Sequence, residues 1–269
     1  MQTVAAIQMC STNDLHENLA QAADLTAQAV DAGARLIVLP EMFAILGCQL
    51  ADKISHQEAP GSGKMQDFLA ELAAKHKIWV VGGTIPLTGH TPGKARAACL
   101  VFSENGQQVA RYDKINLFDA NLSQKEAYCE SASTEPGDTI TLLDSPVGKL
   151  GLCVCFDMRF PNIFTELSMR GAEVIAIPAA FAVKTGQAHW ELLVRCRALD
   201  TQAYVIAAGQ SGQHPNGRNT YGHSMIVNPW GDIISEQITQ GPGVVSATID
   251  LEWLHEIRRQ LPVVRNTSS

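Results

Sequence analysis

The chain lacks the features that would direct it to a charged polymer or a membrane. No run of Lys and Arg occurs in its 269 residues, and the formal charge at pH 7 is -7. Nucleic acids and anionic lipid surfaces call for clustered cations, so both are excluded and a small molecule is the expected partner. No stretch of about 18 apolar residues is present, which excludes a membrane-spanning helix. Met1 leads straight into "QTVAAIQMC", which has no basic leader and too short an apolar segment for a signal peptide; a soluble, cytoplasmic protein is expected. An ordered cysteine framework is missing too. The seven cysteines, at 10, 48, 99, 129, 153, 155 and 196, are odd in number and scattered, so free thiols in a reducing compartment are expected. Nor does a second Cys or His pair stand at zinc-ligand spacing from Cys153 and Cys155, since His189, His214 and His223 form no such set; no metal site is expected.

What is present is apolar sequence in regular alternation. With 46% hydrophobic and 17% charged residues the chain can bury a large core. Strand-like runs ("TVAAIQM", "RLIVLP", "IWVVGGTIP", "ARAACLVF", "QQVARYDKI") alternate with helical stretches at about 14–32 and 65–77, followed by a loop over 116–137. A second series comprises "TITLLD", "KLGLCVCFD", a helix at about 161–170, "EVIAIP", a helix near 186–202, "YVIAAGQ", the hairpin "SMIVNPWGDIISE", "GVVSATIDL" and a last helix near 251–260. The alternation implies a layered α/β fold. No linker or low-complexity stretch divides it, so one domain over 1–269 is expected.

Two segments look like copies. "GARLIVLPEMF" at 33–43 and "GAEVIAIPAAF" at 171–181 share Gly-Ala-x-x-Ile-x-x-Pro-x-x-Phe, each after a helix that the glycine ends. Each buried strand is expected to end at its proline, which places Glu41 and Ala179 to Phe181 just past equivalent strand ends, where open α/β sheets bind ligands. A common strand-to-proline connection would give the same pattern.

"GLCVCFDMRFPN", residues 151–162, runs a strand into a turn that Pro161 converts to a helix. Cys155 stands at that elbow, where backbone N–H groups and a helix N-terminus favour thiolate; Cys153, two residues back on the same face, reads as packing. A buried cysteine is ordinarily inert, so partners decide. Glu41 follows the apolar "LIVLP", where a charge is costly unless it has a partner or a task, and a carboxylate so placed can serve as a base. Lys114 in "RYDKINLFD" ends another strand and is a cation able to face an oxyanion. Singly, each charge reads equally as a solvated loop residue. A noncatalytic thiol redox or metal-binding module around the two cysteines is the competing reading.

"VLPEMF", "YDKINLFD" and "CVCFDMRFPN" stand in the order and spacing of the Glu-Lys-Cys motifs of the nitrilase (carbon–nitrogen hydrolase) superfamily, and the chain resembles that family over nearly its whole length. "AHWELLVRCRALDTQAYVIAAGQSG", "RNTYGHSMIVNPWGD" and "RRQLPV" are most similar to its Nit branch. The resemblance implies an αββα sandwich that pairs as a homodimer, αββα–αββα, through its helical layers, with no metal or organic cofactor. It implies amide hydrolysis through a thioester: Glu41 as base, Cys155 as nucleophile, and Lys114 with the Phe156 backbone N–H on the oxyanion. A supporting glutamate is implied at Glu130 by the match of "YCES", with Glu126 as the alternative.

Arg159, four residues past the nucleophile, is expected to clamp a substrate carboxylate or to pair with a nearby acid, and the second reading is preferred. Ala180, Phe181 and His189, with Trp190, are candidate pocket residues. His223 reads as a hydrogen-bonded core or interface histidine. The branch implies deaminated glutathione as substrate, split to α-ketoglutarate and Cys-Gly. α-Ketoglutaramate, the ω-amidase substrate, and other small amides or nitriles are the alternatives. The longer substrate ends in a second carboxylate that needs a further cation, for which Arg218 and Arg195 are the candidates.

Overall fold

The structure, a computed structural model, describes residues 1–47, 50–123 and 126–263. Cys48 therefore lies outside the described residues; the other six cysteines are free thiols. Two sheets stack face to face. One is seven-stranded, in the spatial order Gly243–Ile249, Gln2–Gln8, Leu36–Val38, Trp79–Val81, Ala95–Phe102 and Ile85–Thr88, with Gln108–Asp113 also paired to Ala95–Phe102. The other is six-stranded: Ile233–Glu236, Met225–Val227, Tyr204–Gly209, Val174–Ala179, Gly148–Leu152 and Leu142–Ser145.

Strand alternation sorts the side chains between layers. Val4, Ala6, Leu36 and Val38 face the second sheet and join its Leu152, Ala176 and Ile206 in one core. Ala5, Ile7 and Ile37 face the other way and pack beneath α1 (Leu15–Asp31) and, beyond the six-residue α2 (Leu50–Ser55), α3 (Lys64–His76). On the far side α4 (Pro161–Met169) and α5 (Val183–Thr201) cover the six-stranded sheet, and α6 (Leu251–Gln260) follows its N-cap Asp250. The expected αββα sandwich is the architecture of the chain. Asp14 caps α1 by accepting from the backbone N–H groups of His16 and Glu17, and Pro161 opens α4. No helix of the described residues is long and apolar enough to cross a membrane.

The two copied segments become central strands, one in each sheet, entered through Gly33 and Gly171, both at φ 88°, a left-handed conformation that glycine adopts without a Cβ clash. Two local expectations need correction. Pro178 does not end its strand: its neighbour Gly148–Leu152 pairs only as far as Ala176, so no N–H is required on that edge, and the strand runs on to Ala179 against Ala208 and Gly209. The 116–137 loop contains a hairpin, Asp119–Ser123 with Glu126–Cys129, and a 3₁₀ turn at Glu130–Ala132. Its strands are short and bury no residue fully, so their alternation is too brief to stand out. "SGQHPNGRNTY" likewise folds back as a short hairpin, Ser211–Gln213 with Asn219–Tyr221.

Candidate active site

Cys155 opens a 3₁₀ turn, Cys155–Arg159, directly after the strand Gly148–Leu152, and takes a left-handed φ of 47°. For a residue with a side chain this conformation is strained and persists only where surroundings enforce it. Buried Asp157 is the enforcing group. Its Oδ2 accepts from Tyr112 Oη at 2.7 Å and Val154 N at 2.9 Å, and its Oδ1 from Asn116 N at 2.8 Å and Asn116 Nδ2 at 2.9 Å. The turn is thereby tied to the segment that carries Lys114.

Glu41 sits just past Leu36–Val38 and is 3% exposed. Met42 after it is also left-handed, and its N–H donates to Thr84 Oγ1 at 2.9 Å. Gln210 braces the loop from the other sheet: its Nε2 donates to the Glu41 carbonyl at 3.1 Å and to Ser11 Oγ at 2.7 Å. Lys114, 2% exposed, follows Gln108–Asp113 and is fixed by backbone bonds to Ala97 and Gly137.

These elements bring one ammonium between two carboxylates. Lys114 Nζ donates to Glu41 Oε1 at 2.7 Å and to Glu130 Oε2 at 2.7 Å; Glu130 Oε2 also accepts from Phe118 N at 2.7 Å. Glu126 instead accepts from Tyr128 Oη, so Glu130 is the glutamate on the lysine. Burial, which would pull the Lys114 pKa down, is outweighed by Glu130 and Glu41, and the group stays an ammonium. In Glu130 the burial that favours the acid is likewise overcome, chiefly by Lys114 and then Lys53, and its pKa is lowered.

The Cys155 thiol lies beside the Glu41 carboxylate and the Ala180 backbone. Burial, then the Glu41 charge, pushes its pKa up, with Lys114 opposing. The resting group is a thiol beside a carboxylate, and it ionises only by passing its proton on. Cys153 is fully buried and raised by the same desolvation, with Asp157 next to it and no cleft in reach.

Glu41, Lys114, Glu130 and Cys155 line a cleft of about 430 Å³, together with Phe118, Tyr128, Lys53, Asn216 and Arg218. Cys155 also borders a small niche formed by Phe156, Arg159, Ala180 and Phe181. Arg159 pairs with no acid among the described residues. Its guanidinium lies 5.9 Å from the Phe156 ring centre and 5.5 Å from that of Phe181, and Nη2 donates to His189 Nδ1 at 3.3 Å. His189 is exposed beside Arg159 and not on the cleft wall; Trp190 is buried and donates to the His223 carbonyl. His223 stacks on Tyr221 and bonds Glu236 at 2.7 Å. Arg195 is outside the site, spent on the Gly231 carbonyl and Glu191.

Sequence reasoning missed Asp157, Gln210 and Lys53. A carboxylate two residues past Cys155, in "CFD", was the available signal for the first; nothing local marks the others. Among the described residues no group of three or more His, Cys, Asp or Glu side chains gathers as for a metal ion.

A carbon–nitrogen hydrolase family model matches residues 3–259. The chain is 39% identical over 268 residues to a deaminated glutathione amidase of Yersinia enterocolitica, covering 98% of this chain and 92% of that protein. It is 39% identical over 267 residues to the deaminated glutathione amidase of Homo sapiens, covering 98% and 81%. The crystal structure of Saccharomyces cerevisiae Nit3, a member of branch 10 of the nitrilase superfamily, superposes with a TM-score of 0.88 at 31% identity, over 100% of this chain and 97% of that one. With a model match along almost the entire chain and full-length relatives at this identity, the chain belongs to the carbon–nitrogen hydrolase family and is a hydrolase acting on C–N bonds.

Proposed function

We propose that the chain is a cysteine-dependent amidase whose substrate is deaminated glutathione, split to α-ketoglutarate and Cys-Gly. The observation that carries the chemistry is the Lys114 ammonium held at 2.7 Å from both Glu41 and Glu130, in the cleft that the Cys155 thiol also lines. The names of the relatives support the substrate.

Glu41 takes the Cys155 proton as sulfur attacks the amide carbon. Lys114 and the Phe156 backbone N–H meet the oxyanion, and Glu130 keeps Lys114 aimed and charged. Glu41 returns the proton to the departing amine, leaving a thioester. It then deprotonates water, which attacks the thioester; the acid leaves and the proton returns to sulfur. Leu192 and Leu199 on α5 and Met169 on α4, all exposed, support a homodimer that pairs through this helical layer. The same reading makes the protein cytoplasmic.

Mass spectrometry during turnover should find an acyl adduct on Cys155, and Cys155→Ala should be inactive. Glu41→Gln and Lys114→Met should each lower kcat by roughly 100-fold or more in folded protein. Hydrolysis by Cys155→Ala with no adduct would overturn the amidase reading. If kcat/KM for α-ketoglutaramate exceeds that for deaminated glutathione, the substrate is the shorter amide.

A further inference from the structure

The cleft holds more positive charge than the bond-breaking chemistry uses. Three cations, Lys53, Lys114 and Arg218, line it against two carboxylates, Glu41 and Glu130. Lys114 engages both carboxylates. Among the described residues no acid stands at ion-pair distance from Lys53 or Arg218.

Lys53 is partly buried on the cleft wall and donates to Thr134 Oγ1 at 2.8 Å. An ammonium has three N–H donors, so two remain for a ligand. Burial pushes its pKa down and Glu130 pulls it back up. Arg218 lies near enough to act on it, with its guanidinium 5.2 Å from the Tyr128 ring centre and Nη2 donating to the Ala180 carbonyl. A partly desolvated ammonium without a counter-ion is stabilised by any anion brought to it, more strongly than one in water.

Position selects which anion. Glu41, which returns its proton to the departing amine, opens onto this same cleft, and Cys155 is where the cleft meets the niche of Arg159, Ala180 and Phe181. A leaving amine directed into the cleft carries its far end along the wall that holds Lys53. A dipeptide arm spans about 7 Å when extended.

We propose that Lys53 binds the remote carboxylate on the amine side of the substrate, and so selects amides whose leaving group is itself a peptide-like acid over simple carboxamides. Arg218 strengthens the field there and Tyr128 walls the arm. The proposal rests on the amidase reading above and deepens it by naming the residue that reads the leaving group.

The test compares wild type with Lys53→Met and Lys53→Arg on deaminated glutathione, on its C-terminal glycinamide analogue, and on α-ketoglutaramate, which has no amine arm. Lys53→Met should lower kcat/KM for deaminated glutathione roughly 10- to 100-fold, mainly through KM, the size expected for one charge-assisted hydrogen bond. The glycinamide analogue and α-ketoglutaramate should change less than about threefold, and Lys53→Arg should recover part of the loss. An equal fall on all three substrates, or no fall on any, overturns the proposal. Inhibition of α-ketoglutaramate hydrolysis by Cys-Gly separates the two readings. If wild type ignores deaminated glutathione, the substrate assignment fails, and the subsite is then decided by whether Cys-Gly inhibits wild type at least tenfold more tightly than Lys53→Met; equal inhibition overturns it.

Discussion

Replacing Asp157 by Asn removes one charge and adds one N–H₂, and the surroundings determine what that costs. The carboxylate is fully buried and receives two donors on each oxygen. If the new amide turns its nitrogen towards Asn116, two donors face it. Turned the other way, it keeps Asn116 on its oxygen, and Tyr112 can reverse its hydroxyl to accept, but the Val154 N–H is left facing an N–H₂. A stranded buried donor costs about 1–3 kcal/mol, and the remaining bonds lose their charge assistance. Part of this returns, because burial already pushes the Asp157 pKa up and so disfavours the charge that is removed. The balance is about 3 kcal/mol of destabilisation, which for a chain of this size lowers Tm by roughly 6–12 °C. Since Asp157 also holds the left-handed turn at Cys155, kcat should fall by about 100-fold through misplacement of sulfur. Differential scanning calorimetry and a steady-state assay on the same preparation read both numbers. A Tm within about 2 °C of wild type would mean that the turn is held by something other than these four bonds.

Two further outcomes are expected. The Thr91 backbone N–H, with Arg96 and the His90 N–H, holds the Glu135 carboxyl at about 2, below the 4.5 of a free glutamate. A depressed folded pKa stabilises the fold above about 4.5, and that contribution is lost as pH falls towards about 2. Urea titrations across this window should therefore show a flatter acid limb in Glu135→Gln, and an identical limb removes the argument. Cys153→Ala should retain near-normal turnover while losing about 1 kcal/mol of stability to the small cavity left in the core; a rate as low as that of Cys155→Ala would assign Cys153 to the chemistry.

Most of the scaffold was legible because long apolar runs have a clear period. The helix at Leu15–Asp31 is flanked by the Asp14 cap and Gly33, and the strands at Gln2–Gln8 and Val174–Ala179 carry continuous apolar runs. The hairpin at 119–129 was not legible, since its strands are only five and four residues long and bury no residue fully, too short for the alternation in "DANLS" to stand out. The site divides in the same way. Glu41 and Cys155 follow apolar strands, where a charge or thiol stands out, whereas Lys114 follows the polar strand Gln108–Asp113 and is marked by "YDKINLFD". Asp157 acts through Tyr112 and Asn116, more than 40 residues away, and Gln210 reaches Glu41 from the opposite sheet. Lys53 in "ADKIS" reads as an ordinary surface lysine, and only the assembled cleft shows that no acid among the described residues stands at ion-pair distance from it. Arg195 failed as a substrate cation for the reverse reason: its helix face turns away to Gly231.

Glu41 and Lys114 extend from one sheet and Cys155 from the other, with the tightly packed inter-sheet core between them. With Glu41 as the proposed base and Cys155 as the proposed nucleophile, their spacing is a measure of how the two sheets are seated. A nascent chain that has emerged as far as residue 147 already carries Glu41, Lys114 and Glu130, the proposed base, oxyanion cation and supporting glutamate, yet lacks Cys155. A fragment beginning at residue 148 has the thiol and nothing to deprotonate it. On the proposed mechanism hydrolysis requires both fragments, so recovery of activity when the two are mixed would report their docking as directly as any structural probe.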